Sequence, residues 1–368
     1  MQWRSLTNST RFHIRAFSTT SRASSRLNVV FLGREAFSCD TLTILHNAPD
    51  VWKSLYIVTT PDQWVGRRKK DLSISPLKSL AQSLNIPVIE LPAQDDDPTH
   101  WIPSTFEPNS PENAIITASF GRAVPTSVLE QFQPSLRLNV HPSLLPKYRG
   151  AAPIQRMIME GATTAGVSIL QMEDVMTNGF DSGPLWDQRE VAIPPRLTYH
   201  ELENILAREG GHLLVDFLRR RANGEVIPRQ QDHSQATKAR TINDDTATVK
   251  WQLWDAYKIE RYHRAFGHKH ALHGTIDHGP RVRFLQLDLT PASATTSRLK
   301  APGDATYDPH LRAVVVRCAN DSFLAVTKVQ TEGKKETVVR DYWNGVRPSE
   351  GKARVAQYDI VSTANNKL

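Results

Sequence analysis

The chain has 368 residues, which is long enough for two domains that each bury a hydrophobic core. Its formal net charge is +7. Its two cysteines, Cys39 and Cys318, lie in different predicted domains, which argues against a disulfide framework and fits a reducing compartment. No stretch approaches the ~20 apolar residues of a membrane-spanning helix, so no such helix is predicted.

The N-terminal segment is rich in arginine, serine and threonine, and the first acidic residue is Glu35. This composition is typical of a mitochondrial transit peptide, although an ordinary basic tail is the alternative. Arg15 precedes Phe17 by two residues, which resembles a two-step matrix processing site with a mature start near Ser25. We therefore expect residues 1–24 to be a transit peptide and the protein to reside in the mitochondrial matrix.

The next region alternates short apolar strands with helical segments, which is typical of α/β proteins. Strands are predicted at residues 28–32, 55–59, 88–90, 114–118, 138–140 and 167–171, and helices at 37–46 and 198–221. Thr198 and Glu201 have the spacing of a capping box at the start of the last helix. The pattern predicts a doubly wound, mostly parallel sheet over residues 25–222. Gly33 does not open a Gly-x-Gly-x-x-Gly motif, so a dinucleotide site is poorly supported.

A basic loop follows the second strand. It contains four consecutive cations, Arg67, Arg68, Lys69 and Lys70, and Trp64 lies shortly before them. Such a charge run is usually a solvated loop. Cations beside an exposed aromatic ring also suit nucleic acid, because they bind phosphates while the ring stacks on a base.

Polar side chains end the strand predicted at residues 138–140. Asn139 and His141 are two apart, so on an extended chain both side chains point to the same face. Pro142 and Pro146 end regular structure there. Ligands bind at strand ends in open α/β sheets, and an amide beside an imidazole suits oxyanion stabilisation with proton transfer. A structural histidine is the alternative that the spacing alone leaves open.

The longer stretch around this pair carries a family resemblance. Asn-Val-His-Pro-Ser-Leu-Leu-Pro at residues 139–146, Tyr-Arg-Gly at 148–150 and Ala-Pro at 152–153 resemble the signature of formyltetrahydrofolate-dependent formyltransferases. Residues 150–156, Gly-Ala-Ala-Pro-Ile-Gln-Arg, resemble the branch that acts on methionyl-tRNA. The resemblance implies an α/β formyltransferase fold followed by a small β-barrel domain of OB-like type. It also implies 10-formyltetrahydrofolate as formyl donor and methionyl-initiator tRNA as acceptor.

The resemblance assigns roles to individual residues. Asn139 and His141 match catalytic residues, and the basic loop matches the family's loop that enters the tRNA acceptor stem, with Arg67 at the position of its arginine. The residues matching the donor site are Phe120, Gly121, Ser143, Leu144, Leu145 and Pro146.

Asp181 is the third catalytic candidate. It lies in Phe-Asp-Ser-Gly at residues 180–183, which resembles the family's Leu-Asp-x-Gly with a catalytic aspartate. A turn aspartate that caps its own backbone is the ordinary alternative. The segment before Asp181 is a few residues longer than in the family pattern and contains Asp174, which is the second choice for this role.

The C-terminal part is more basic than the rest. Residues 238–368 hold 21 basic and 14 acidic side chains, which favours contact with a polyanion, although a basic solvated surface is common. A linker is predicted at residues 223–241, a β-barrel domain at 242–350 and a tail at 351–368, with a short helix at 255–266 and strands at 281–289, 312–318 and 323–330. The histidines here, His263, His268, His270, His273 and His278, lack a recognised ligand spacing, so no metal site is expected.

Three other functions share part of this pattern: a formyltransferase acting on a small amine, a formyltetrahydrofolate hydrolase, and a non-catalytic RNA-binding protein. The basic loop and basic C-terminal unit favour a tRNA substrate over the first two. The retained Asn139, His141 and Asp181 argue against the third. A monomer without membrane contact is expected.

Overall fold

The computed structural model describes residues 26–65, 70–92, 97–276, 279–346 and 352–356. Its N-terminal half is built around a seven-stranded sheet with the order β5-β2-β1-β6-β7-β8-β9. These strands are β1 (Leu27–Gly33), β2 (Trp52–Thr59), β5 (Val88–Glu90), β6 (Asn113–Ala118), β7 (Arg137–His141), β8 (Thr164–Gln171) and β9 (Leu185–Ala192). A small hairpin of β3 (Gln63–Val65) and β4 (Asp71–Ser73) stands beside it.

Helices cover both faces of this sheet. They are α1 (Ala36–His46), α2 (Pro76–Ser83), α3 (Pro98–Trp101), α4 (Thr126–Leu129), α5 (Pro153–Glu160), α6 (Val175–Asn178) and α7 (Tyr199–Ala222), with a 3-10 turn at Pro134–Leu136. The predicted doubly wound, mostly parallel sheet is therefore confirmed.

Strand direction changes at β7. The strands β5, β2, β1, β6 and β7 run parallel, whereas β8 pairs with β7 and β9 pairs with β8 in antiparallel fashion. The polar pair predicted at the end of β7 thus lies at the carboxyl ends of the parallel strands, where the strand direction changes. Strand β9 was not predicted, because its charged and polar residues hide the apolar alternation of a sheet strand.

The core divides into two layers because side chains of a strand alternate between faces. Val29 and Phe31 of β1 pack in one layer with Leu206 of α7, whereas Val30 and Leu32 pack in the other with residues such as Trp101. The strands and helices of this unit thereby form three layers.

Helix α7 begins as the sequence predicts, with Thr198 and Glu201 forming a capping box. Its two adjacent interior glycines have a packing reason. A Cβ at Gly210 would lie 2.8 Å from Cγ1 of Val140, and one at Gly211 would lie 2.8 Å from Cδ1 of Ile44. Glycine in a helix interior is unfavourable by itself, so here it is compensated by close packing of α7 against β7 and α1.

The C-terminal half is an antiparallel barrel. Its strands are β10 (Leu272–Ile276), β11 (Val282–Thr290), β12 (Asp304–Asp308), β13 (Ala313–Arg317), β14 (Phe323–Thr331), β15 (Glu336–Val338) and β16 (Lys352–Ala356). They pair in the order β11-β10-β16-β12-β13-β14-β15, and a further pairing of β11 with β14 closes the ring. The helices of this half are α8 (Asp244–Ala247), α9 (Ala256–Phe266) and α10 (Val339–Val346), with 3-10 turns at His233–Gln235 and Thr296–Arg298.

The two halves share a continuous apolar core, in which α9 packs against α5. The predicted helix and the three predicted strands of the C-terminal half are observed within one or two residues. Strands β10, β12, β15 and β16 were not predicted. Among the described residues, no helix has the length and apolar character that a bilayer crossing requires.

Candidate active site

Strand β7 presents the polar pair at the carboxyl end of the parallel sheet. Asn139 pairs with Thr117 of β6 on one side and with Leu170 of β8 on the other, so its backbone is held in the sheet interior. His141 ends the strand and is buried, with 4% of its surface exposed. Both side chains point to the same face, as their spacing predicts.

Asp181 joins this pair from the loop that follows α6. Its Oδ1 accepts a hydrogen bond from Nδ2 of Asn139 at 3.1 Å, and its Oδ2 accepts one from the main-chain N–H of Gly150 at 2.8 Å. The same Oδ2 lies 3.6 Å from Nδ1 of His141. The structure therefore brings together the three residues predicted to be catalytic, although they are up to 42 residues apart.

The backbone of Asp181 is itself unusual, with φ at +54° in the left-handed region. Non-glycine residues rarely occupy this region, and such strain persists only where surrounding contacts enforce it. The carboxylate can reach Asn139 and His141 from this conformation. Residues with such strained backbone conformations occur often in active sites.

Asp174, the second choice for this role, makes different contacts. Its carboxylate caps α6 by accepting from the main-chain N–H of Met176 at 3.0 Å and from the hydroxyl of Thr177 at 2.7 Å. The hydrogen bond from Thr177 and, to a smaller extent, the one from Met176 lower the pKa of Asp174. The longer segment before Asp181 therefore forms a short exposed helix and leaves Asp181 beside His141.

The imidazole of His141 faces oxygen atoms on both sides. Its Nε2 lies 3.0 Å from the main-chain carbonyl of Tyr148, and its Nδ1 faces the Asp181 carboxylate. A neutral imidazole donates only one hydrogen bond, whereas the protonated ring donates from both nitrogens. This surrounding therefore suits a histidine that receives a proton during a reaction.

The amide of Asn139 is oriented by two partners. Its Oδ1 accepts from the hydroxyl of Thr117 at 2.9 Å, while one N–H of Nδ2 is given to Asp181. An amide nitrogen has two N–H groups, and within the described part of the chain nothing else accepts from Nδ2. The second N–H is available for an oxygen that develops negative charge.

The residues predicted to bind the formyl donor fall into two groups. Phe120 is buried against Trp101, whereas Gly121 lies on an exposed turn with φ at +78° and with open space where a Cβ would be. This turn follows β6, the neighbour of β7, so it flanks the catalytic residues. The role of Phe120 and Gly121 in binding the donor stays a prediction.

The second group lies on the loop after β7 and mostly supports it. The Ser143 hydroxyl is fully buried and donates to the carbonyl of Lys147 at 2.7 Å. Leu145 packs in a small cluster with Leu170 and Leu185. Leu144 lies against Gly166, and Pro146 is only partly buried.

The predicted tRNA-binding loop is carried by the β3–β4 hairpin. Arg67, Arg68 and Lys69 lie outside the described residues, and Lys70 is exposed. Arg34 fixes the base of the hairpin by donating to the carbonyl of Pro61 at 3.0 Å and to that of Ser73 at 3.0 Å. Trp64 is 59% exposed, in keeping with the predicted stacking surface.

Two of the C-terminal histidines make contacts within the fold. His268 stacks on Tyr199 with ring centroids 4.8 Å apart, and burial lowers its pKa to about 4. His273 is buried and lies 3.0 Å from the Thr248 hydroxyl. His278 lies outside the described residues. Within the part of the chain that the structure describes, no group of His, Cys, Asp or Glu side chains is arranged to hold a metal ion.

Three partners of the site were missed by sequence reasoning. Tyr148 and Thr117 orient the predicted residues, and the third, Gln231, comes from the segment predicted to be a linker. Burial lowers the pKa of the neighbouring Arg149, and the Asp181 carboxylate opposes this shift. In the sequence, only the Tyr-Arg-Gly motif at residues 148–150 indicated that the loop after β7 contributes to the site.

Comparisons with known proteins agree with this geometry. A formyl transferase family model matches residues 27–218, and a model of the formyl transferase C-terminal domain matches residues 241–347. A methionyl-tRNA formyltransferase of Anaeromyxobacter dehalogenans is 32% identical over 87% of this chain and 97% of its own length. The mitochondrial methionyl-tRNA formyltransferase of Bos taurus is 31% identical over 86% of this chain and 77% of its own length.

Solved structures support the fold. An N-formyltransferase of Helicobacter canadensis, solved in complex with folinic acid and dTDP-3-aminofucose, matches with a TM-score of 0.56 and 18% identity over 82% of this chain and 98% of that chain. The two family models and the relatives above 30% identity extend over both halves of the molecule. The chain is therefore a transferase that belongs to the methionyl-tRNA formyltransferase family.

Proposed function

We propose that the protein transfers the formyl group of 10-formyltetrahydrofolate to the α-amine of methionyl-initiator tRNA for translation initiation in mitochondria. The observation that carries this proposal is the contact of Asp181 with both Asn139 and His141 at the carboxyl end of β7. The names of the relatives support methionyl-tRNA as the acceptor. Neighbouring structures solved with folinic or tetrahydrofolic acid support a folate donor.

Three side chains divide the chemistry. 10-Formyltetrahydrofolate supplies the formyl carbon, and the acceptor amine, with an ordinary pKa of about 7.7 to 8.0, is neutral in a sizeable fraction at matrix pH. Asn139 directs its second N–H to the formyl oxygen, which gains negative charge as the amine attacks. His141 stabilises the same charge and transfers a proton to N10 of the folate as its bond to the formyl carbon breaks. Asp181 orients His141 and receives the amine proton, directly or through water.

The tRNA is bound away from this chemistry. We assign the acceptor stem to the loop from Arg67 to Lys70 and further phosphates to the basic C-terminal domain at residues 242–350. Residues 25–222 would then form the catalytic domain. The exposed Lys70 and Trp64 on the β3–β4 hairpin support this assignment, since cations bind phosphates and an aromatic ring stacks on a base.

A transfer assay tests the proposed function. The purified protein should formylate methionyl-initiator tRNA in the presence of the folate donor and not in its absence. Arg67→Ala should reduce transfer to tRNA while slow donor hydrolysis is unchanged, because a cation in this loop positions the acceptor end and does not act on the donor. The difference between the variant and the parent should shrink as salt rises, since screening weakens the contact that the parent retains.

Other outcomes of this assay identify the alternatives. Formate release without dependence on RNA would indicate a hydrolase, and transfer to a free amine but not to tRNA would indicate a small-molecule formyltransferase. Loss of folate binding in Arg67→Ala would move the loop to the donor site. Absence of both transfer and hydrolysis would leave an RNA-binding protein.

The mitochondrial location rests on the composition of residues 1–24, which lie outside the described residues, and on the mitochondrial relative in Bos taurus. N-terminal sequencing of protein isolated from the organelle should begin near Ser25. Protein found only in the cytosol with Met1 intact would contradict both the transit peptide and the location.

A further inference from the structure

The segment that joins the two halves is bound to the catalytic loop. We call residues 223–241 the connecting segment. Arg149 donates from its main-chain N–H to the carbonyl of Thr237 at 2.9 Å and accepts from the N–H of Ala239 at 2.6 Å. The N–H of Ala152 donates to the carbonyl of Ala239 at 3.0 Å. The part of this segment near Ala239 therefore pairs with the loop after β7 and is not a free linker.

Gln231 of the connecting segment makes the contacts closest to the reaction. Its Nε2 donates to the carbonyl of Asp181 at 2.8 Å and to the carbonyl of Gly183 at 2.7 Å. Its Oε1 accepts from Nε of Arg149 at 3.1 Å and from Nη2 of the same guanidinium at 2.6 Å. A primary amide has two N–H donors and two acceptor sites, so all four are used.

The burial of this amide makes the arrangement specific. Gln231 is only 4% exposed, and its two ends face groups of opposite character, carbonyl oxygens on one side and a guanidinium on the other. An inverted amide would place oxygen against oxygen. Only one orientation therefore satisfies the site, and an apolar side chain of the same length would leave polar groups without partners.

Gln231 joins two loops of the candidate active site, the loop of Asp181 and the loop of Arg149. The loop of Asp181 carries the carboxylate, in a left-handed conformation that needs external support. The loop of Arg149 supplies the N–H of Gly150 to that carboxylate and the carbonyl of Tyr148 to His141. Gln231 thus bridges the loop of Asp181 and the loop of Arg149, and it is itself buried.

We propose that Gln231 is a positioning residue that sets the geometry of Asp181 against His141, so that formyl transfer depends on the docking of the connecting segment. This inference rests on the proposed function of the site. A displacement of about 1 Å at a catalytic group is enough to lower the rate roughly 10²-fold. Loss of the hydrogen bonds from Gln231 to the loop of Asp181 is expected to have an effect of up to this size.

Gln231→Glu separates positioning from mere structural support. The carboxylate still accepts from Arg149, so the bridge to that guanidinium is kept. It has no N–H for the carbonyls of Asp181 and Gly183, and it places negative charge against them. We expect kcat for formylation of methionyl-tRNA to fall about 10- to 100-fold. KM for tRNA should stay within about twofold of the parent, because Gln231 is buried and its replacement is not expected to remove a tRNA contact.

Two further variants complete the design. Gln231→Met removes donors and acceptor together and should lower kcat at least as much as Gln231→Glu. Gln230→Met makes the same chemical change at the exposed neighbouring position and should keep the parent's kcat. The thermal unfolding midpoint and tRNA affinity of each variant, measured alongside, identify any general loss of folding.

The results separate this inference from the function it rests on. If the parent formylates tRNA and Gln231→Glu retains the parent's kcat, Gln231 only supports Arg149 and the proposal is overturned. A rise in KM with unchanged kcat would overturn it as well, since that pattern belongs to lost substrate binding. A parent protein that forms no formyl-methionyl-tRNA would contradict the proposed function.

Discussion

Replacing His141 with alanine is expected to stop formyl transfer, lowering kcat by about 10²–10⁴-fold, the range that general acid–base catalysis contributes. The ring is buried at the end of β7, and both of its nitrogens face oxygen atoms, those of the Tyr148 carbonyl and the Asp181 carboxylate. Slow hydrolysis of the donor should fall equally, because it needs the same proton transfer. Single-turnover measurement with charged initiator tRNA gives the rate of the chemical step.

The same variant should bind tRNA nearly as tightly as the parent, since a neutral imidazole contributes little to phosphate contacts. Rising ionic strength should not restore its activity. His212→Ala is the matched control, because His212 is an exposed histidine of α7. Retention of parental kcat by His141→Ala would remove this residue from the mechanism, and equal losses in the control would indicate a general effect of removing histidine.

Replacing Asn139 with alanine is the second large effect that we expect. Removal of one oxyanion donor typically costs ~10²–10³-fold in rate, or about 2.7–4 kcal/mol of transition-state stabilisation. The structure adds a second cost, because Asn139 also donates to Oδ1 of Asp181 and so helps to hold the carboxylate. Both kcat and kcat/KM should fall by a similar factor, as for an interaction made in the transition state.

Steady-state kinetics over a range of tRNA and donor concentrations measures this pattern. Asn47→Ala serves as the control, since Asn47 is an exposed asparagine at the end of α1. Unimpaired formyl transfer by Asn139→Ala would contradict the assignment of Asn139 as a hydrogen-bond donor to the oxyanion. A higher KM for the donor with unchanged kcat would place Asn139 in donor binding alone.

Much of the architecture follows from local patterns. The apolar runs of β1, β2 and β6 have few alternatives to buried strands, since a side-chain period of two and short length leave little else. The capping box of Thr198 with Glu201 marks the start of α7 for a similar reason, because both hydrogen bonds lie within one turn. The shared face of Asn139 and His141 is also a local property of an extended chain.

The third catalytic candidate required the tertiary structure. Asp174 and Asp181 both lie in the polar segment between β8 and β9, and sequence spacing does not show which one faces His141. Hydrogen bonds decide it, since Asp174 caps α6 whereas Asp181 contacts Asn139 and Gly150. These partners are 31 and 42 residues from Asp181, a separation that no periodicity encodes.

The sequence by itself determined the class of the fold, the position of the polar pair at the end of β7 and, through its motifs, the family. Only the tertiary structure decided the antiparallel direction of β8 and β9, the closure of the barrel by β11 and β14, and the role of the connecting segment. Residues 223–241 read as a linker because they are polar and lack periodicity. Gln231 is nevertheless buried, because the carbonyls of Asp181 and Gly183 and the guanidinium of Arg149 satisfy its amide from parts of the chain about 50 and 80 residues away.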